Sequence, residues 1–159
     1  MALFMKINGM KGNVTSQGYE SWIELLSINN GVKRQISTRV GRTADREGTT
    51  PSFQEVEITK NIDASTPQLY QAACVDQAIP EVEIHACSTG KELSPYAKYK
   101  FSNVIISRYY ETIHNEKYPV EMLKLNFTKV QKTYISRDSS NKSQSPTTFG
   151  FDLETAKKL

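Results

Sequence analysis

Strict alternation of side chains limits most severely how this sequence can fold. Along a strand successive side chains point to opposite faces, so a period of two marks a strand with one buried face. Leu3, Met5 and Ile7 alternate with Phe4 and Lys6 before Asn8-Gly9. Trp22–Ile28 is rich in Trp, Ile and Leu, and Gln54–Lys60 sets Val56 and Ile58 against Glu55 and Glu57. Glu81–Cys87 sets Val82, Ile84 and Ala86 against Glu81, Glu83 and His85. Lys98–Tyr109 is β-branched and aromatic, and Val120–Lys129 separates Leu123, Leu125 and Phe127 from Lys124, Asn126 and Thr128. Phe149, Phe151 and Leu153 repeat the pattern near the end. The expected fold is mainly β, a β-barrel or two-sheet sandwich, with one short flanking α-helix and a long extended loop.

The helix is expected at Ser65-Thr66-Pro67-Gln68, which has the form of a capping box: Ser65 accepts from the Gln68 backbone and Gln68 reaches back to Ser65. Pro67 suits a first turn, and Leu69, Ala72 and Ala73 fall on one stripe. Pro80 forbids continuation, which leaves about ten residues of helix.

Two segments lack the alternation. Gly31–Pro51 is polar and Gly-punctuated, and includes Arg39, Arg42, Asp45, Arg46 and Glu47. Long connections without structure of their own are uncommon and usually functional or disordered. Val32, Ile36, Val40 and Ala44 are scattered along it, so in isolation it has little burial to offset ordering and is expected to be mobile until a neighbour supplies contacts. Arg137–Thr148, rich in Ser, Asn and Lys, reads as a mobile surface loop.

The chain has 159 residues, read as one domain spanning 1–159. A net charge of +3 with dispersed Lys and Arg argues against a nucleic-acid stripe. No apolar run is long enough for a transmembrane helix, and the start lacks the regions of a signal peptide, so synthesis in the cytoplasm is expected. Cys74 and Cys87 are not in a metal-binding spacing, and only His85 and His114 could assist them; both thiols are expected to be buried and structural. No phosphate loop, nucleophile elbow or zinc-protease motif occurs. Glu55/Glu57 and Glu81/Glu83 share a face by spacing, as on any half-buried sheet. No catalytic residue, cofactor or metal site is therefore assigned.

Phe4-Met5-Lys6-Ile7-Asn8-Gly9-Met10-Lys11-Gly12 resembles the first strand and turn of the Hcp (haemolysin co-regulated protein) family of the bacterial type VI secretion system, and Trp22–Ile28 resembles its second strand. Val56–Leu69, with its Thr-Lys-x-x-Asp step and Ser-x-Pro-x-Leu helix start, is the most specific similarity. Val120–Val130, Thr133-Tyr134 and Gly150–Leu153 resemble the family's late strands, so the similarity spans the chain in order.

This resemblance implies a structural subunit, not an enzyme: a homohexameric ring that stacks into a tube inside a contractile sheath, carries a VgrG spike and holds small effectors in its lumen. It implies export by the contracting machine without a signal peptide. Ring stacking would fall to the long loop, with Arg39, Val40, Gly41, Arg42 and Arg46 as contact residues. The loop is richer in charge here than in many relatives. Glu47, Glu55 and Glu57 are all open as partners for its arginines. The corresponding end of the second strand faces the pore in the family, which makes Asn29 the expected effector contact. The alternative is a monomeric small β-barrel binding a ligand or single-stranded nucleic acid, suggested by Tyr96, Tyr99, Phe101, Tyr109 and Tyr110 beside Lys98, Lys100 and Arg108.

Overall fold

The computed structural model describes residues 1–38, 40–41 and 46–159. In chain order the strands are β1 (Ala2–Ile7), β2 (Ile23–Glu24), β3 (Ser27–Asn29), β4 (Val32–Lys33), β5 (Ile36–Ser37), β6 (Glu47–Gly48), β7 (Ser52–Phe53) and β8 (Val56–Asn61). Helix α1 (Thr66–Cys74) follows. Then come β9 (Ile79–Thr89), β10 (Leu93–His114), β11 (Lys117–Asn126), β12 (Lys129–Tyr134), β13 (Thr147–Asp152) and β14 (Lys157–Lys158).

The 22-residue β10 belongs to two sheets. Its first half lies between β9 and β12, in the order β2-β1-β9-β10-β12-β13-β14; its second half pairs with β11, in the order β10-β11-β8-β3. The handover falls at Asn103, whose φ of 51° is left-handed, a conformation asparagine tolerates better than most residues. A second crossing lies between β2 and β3. The Leu25 amide donates to Leu3 O at 2.9 Å in the first sheet, and the Leu26 amide donates to Thr59 O at 2.7 Å in the second. The hydrogen-bonded ladder does not close, so of the two expected architectures the sandwich is adopted and the barrel is not.

The core follows the alternation. Met5, Ile7, Val82, Ile84 and Phe101 from the first sheet meet Val56, Ile58, Ile106, Leu123 and Leu125 from the second, with Leu69 of α1 fully buried among them. Each such side chain contributes about 1.5–3 kcal/mol on burial.

The helix forms where expected, and Ala72 and Ala73 pack against the core beside Leu69. Two details of its ends differ from expectation. Ser65 makes no side-chain cap; its hydroxyl donates to Asp63 Oδ1 at 2.5 Å, while the Gln68 amide group donates to Gly9 O at 3.1 Å. Asp63 and Thr66 organise the helix start instead: Asp63 Oδ1 accepts from the Ser65 amide at 2.9 Å, and the Thr66 hydroxyl accepts from the Asp63 amide at 3.0 Å. The helix ends at Cys74, and Pro80 lies inside β9 instead of stopping it.

Residues 10–22 cover the outer face of β1 and β9. Phe4, Tyr19 and Cys87 form a separate buried cluster there, joined by Val14 and Trp22. Gly12 permits the close approach, because a Cβ at that position would lie 2.4 Å from Trp22 O. Segment 137–148 is organised by Asp138, whose Oδ1 accepts from the backbone amides of Ser140 and Lys142, both at 2.9 Å. The Lys142 amide leads the set of donors that hold this carboxyl below its ordinary range.

Candidate assembly surfaces

The long loop has structure of its own. β3 pairs with β8 through Ser27–Thr59, Ile28–Ile58 and Asn29–Glu57. Beyond the sheet the same two strands continue as β4 with β7 (Val32–Phe53) and then β5 with β6 (Ile36–Gly48). The register slips by one residue at each break, which identifies the segment as one antiparallel arm bent by bulges. Gln54 N donates to Gly31 O at 2.9 Å, and Arg34 Nε donates to Thr49 O at 2.7 Å. At its root Phe53 packs on Phe151 with ring centroids 5.2 Å apart.

The arm is exposed along its described length, with Val32 58%, Ile36 54% and Val40 fully accessible. Two-stranded ribbons are at best marginal in water without packing. Gly41 has φ +86°, which favours glycine at that turn. Arg46 is exposed. Arg39 and Arg42, the other two expected contact residues, lie outside the described residues.

Asn29 ends β3 at the root of the arm. It lines an open polar depression with Asn30, Gln54, Glu55, Glu57 and Lys124. Glu55 accepts from the Ser107 hydroxyl at 2.6 Å, and Glu57 lies 3.9 Å from Lys124 Nζ. Asn29 is therefore exposed beside carboxylates that already have partners.

The arm's sheet is fixed to α1 by a polar network that sequence reasoning did not identify. Lys60 and Glu121 are fully buried and form an ion pair. Lys60 Nζ also donates to Asp63 Oδ1 at 2.9 Å and Asn61 O at 2.8 Å. Glu121 accepts from Thr66 Oγ1 at 3.0 Å and from the Tyr109 hydroxyl at 2.5 Å. Burial, and then the Glu121 carboxylate, raise the Tyr109 pKa. This network is where the Thr-Lys-x-x-Asp step meets the helix start. The available signal was phase: Lys60 falls in step with Val56 and Ile58, and Glu121 with Leu123 and Leu125.

His85 lies under the 10–22 segment. The Tyr19 hydroxyl is 3.0 Å from its Nδ1, and Glu83 Oε1 is 2.7 Å from its Nε2. The Cys87 thiol donates to the Tyr19 oxygen at 3.1 Å. With the proton on Nε2, a neutral imidazole satisfies every donor and acceptor in this chain. Burial lowers the His85 pKa, partly offset by Glu83, and burial raises both Tyr19 and Cys87. Although a thiol, an imidazole and a carboxylate are brought together, Cys87 is inaccessible and its thiolate disfavoured. Cys74 is exposed, contrary to the expectation of two buried thiols, because only the stripe through Leu69 faces the core. His114 is exposed at the end of β10.

The aromatics suggested for a nucleic-acid groove are divided, and Tyr110 is about half exposed beside Arg108. Phe101 is buried, Tyr99 packs against the core and Tyr109 is bound to Glu121. Elsewhere the inner face of the first sheet extends past its cover. Leu26 (53% exposed) borders an open depression with Leu3, Ile28, Ala97 and Tyr99, and Tyr134 and Phe149 are about half exposed. Among the described residues no group of three His, Cys, Asp or Glu is placed to hold a metal, and no helix is long and apolar enough to cross a membrane.

Comparison with curated proteins gives no match. Among solved structures, the chain is similar to a type six secretion system protein at 23% identity and TM-score 0.92, with 99% of each chain covered. It is similar to Hcp1 from Salmonella typhimurium at 19% identity and TM-score 0.81, covering 99% of this chain and 98% of that one. A type VI secretion system effector from Yersinia pestis aligns at 22% identity and TM-score 0.75, over 94% and 98% of the two chains. These similarities establish the fold. The family model described as "Type VI secretion system effector, Hcp" matches residues 4–134, a family of structural, secreted proteins and not a known enzyme family. With two main sheets, a flanking helix and a long arm among its described residues, this chain belongs to the Hcp family of type VI secretion proteins.

Proposed function

We propose that the chain, acting as one tube-subunit domain over residues 1–159, forms homohexameric rings that stack into the inner tube of a type VI secretion system. The tube lies inside the contractile sheath, carries the VgrG spike at its tip and holds small effectors in its lumen. The chain is exported with them by contraction and has no catalytic role. The observation that carries this reading is the arm: an extended ribbon with exposed Val32, Ile36 and Val40 needs a neighbour to cover it. The half-covered strip from Leu26 to Phe149 supports lateral association of like subunits.

Stacking is assigned to Arg39, Val40, Gly41, Arg42 and Arg46. Guanidinium groups bind carboxylates as forks, and exposed pairs contribute only about 0–1 kcal/mol each, so stacking should weaken with salt while the ring does not. Replacing Arg39 and Arg42 with Glu tests this. Shorter or absent tubes with an unchanged ring mass are expected; undiminished tubes and secretion would make the arm a passive insertion. Asn29 is assigned to effector contact. Asn29→Gln should leave rings intact and lower effector retention, and unchanged effector levels would remove Asn29 from the site.

A further inference from the structure

The arm and the β10–β11 hairpin leave the same sheet at opposite ends. The arm leaves where Asn29 pairs with Glu57, near Val56–Leu125 and Ile105–Asn126. The hairpin closes at His114–Lys117, beyond Val120–Asn61. Both ends are apolar and exposed: Val32 and Ile36 on the arm, Ile113 (64%) and Tyr118 (68%) on the hairpin. Their charges differ in sign. Residues 31–53 contain Lys33, Arg34, Arg39, Arg42 and Arg46 against Asp45 and Glu47, whereas residues 111–120 contain Glu111 and Glu116 against Lys117. From Val32 to Ser37 the extended arm reaches about 17 Å past the sheet, at about 3.3 Å per residue.

We infer that the receiving surface for the arm is the β10–β11 hairpin end of a second copy, with Val32 and Ile36 covering Ile113 and Tyr118 and the basic groups facing Glu111 and Glu116. A contact between opposite ends of like subunits is heterologous, and where its rotation does not close a ring it propagates as a stack. The inference rests on the stacking reading above and adds its acceptor. Glu55 and Glu57 lie at the root of the arm itself, at the opposite end of the sheet from this hairpin.

Crosslinking of the full chain tests it. Ile36→Cys and Ile113→Cys are combined in a Cys74→Ser background, which removes the exposed native thiol and keeps buried Cys87. After oxidation, non-reducing electrophoresis should show a ladder in steps of 18.0 kDa extending past six subunits, and either cysteine alone should give dimers at most. A ladder ending at six places the arm inside one ring and overturns the inference. Stacks visible by electron microscopy without a ladder overturn the hairpin as acceptor and leave the stacking reading intact. Failure of the unsubstituted chain to stack overturns both. If the cysteine pair misfolds, Glu111→Lys with Glu116→Lys decides: loss of sedimenting stacks at unchanged ring mass is expected, and undiminished stacks count against the hairpin.

Discussion

Trp22 is the chain's one tryptophan and lies 4.9 Å, centroid to centroid, from the His85 ring. It therefore reports on the protonation of that imidazole. Burial opposes the charge, with Lys98 and Lys6 adding to the effect and Glu83 opposing it. The folded pKa lies below the ordinary value of about 6.5. A depressed histidine contributes stability that is present above the unfolded pKa and lost as pH falls through the folded one. Trp22 emission should therefore titrate with a midpoint below about pH 6.5, and His85→Gln should abolish the step. A midpoint at or above that value, or a step that survives the substitution, would mean that neutral His85 does not hold the 10–22 segment.

At the scale of elements, β8, β11 and α1 depend on one another through Lys60, Asp63 and Glu121. Removing one member of a buried pair leaves an uncompensated charge and costs about 3–5 kcal/mol. Lys60→Met should destabilise by about that amount in urea unfolding. Lys60→Met with Glu121→Leu should recover part of the loss, since an apolar replacement of both partners leaves less charge stranded. A double variant whose loss equals the sum of the losses of Lys60→Met and Glu121→Leu made singly would mean that the pair is not coupled. The alternation made the main strands legible because each has one wet face. It could not reveal this network, since charged residues in core phase read as interruptions until their partners meet across strands distant in sequence. The arm was hidden for another reason: its strands are exposed on both faces, so neither period nor burial marks them, and only the pairing of Val32 with Phe53 and Ile36 with Gly48 does. Asn29 ends β3, but the single strand expected over Trp22–Ile28 is divided between β2 and β3 in different sheets, and the side chains around Asn29 come from Gln54, Glu55, Glu57 and Lys124, which no local pattern groups together.

For the whole molecule, the open features bear on assembly. The sheets do not close, β3 continues into an exposed arm, and apolar side chains remain half covered from Leu26 to Phe149. An isolated subunit leaves these surfaces in water; in the proposed assembly a ring of like subunits covers the strip and a stack covers the arm. In that proposal the ring is the salt-resistant contact, because an apolar strip is not screened by salt. Light scattering on purified protein at micromolar concentration in moderate salt tests this most directly. The expected mass is six times the 18.0 kDa chain, unchanged as salt is raised. A stable monomer of 18.0 kDa under the same conditions would contradict the account.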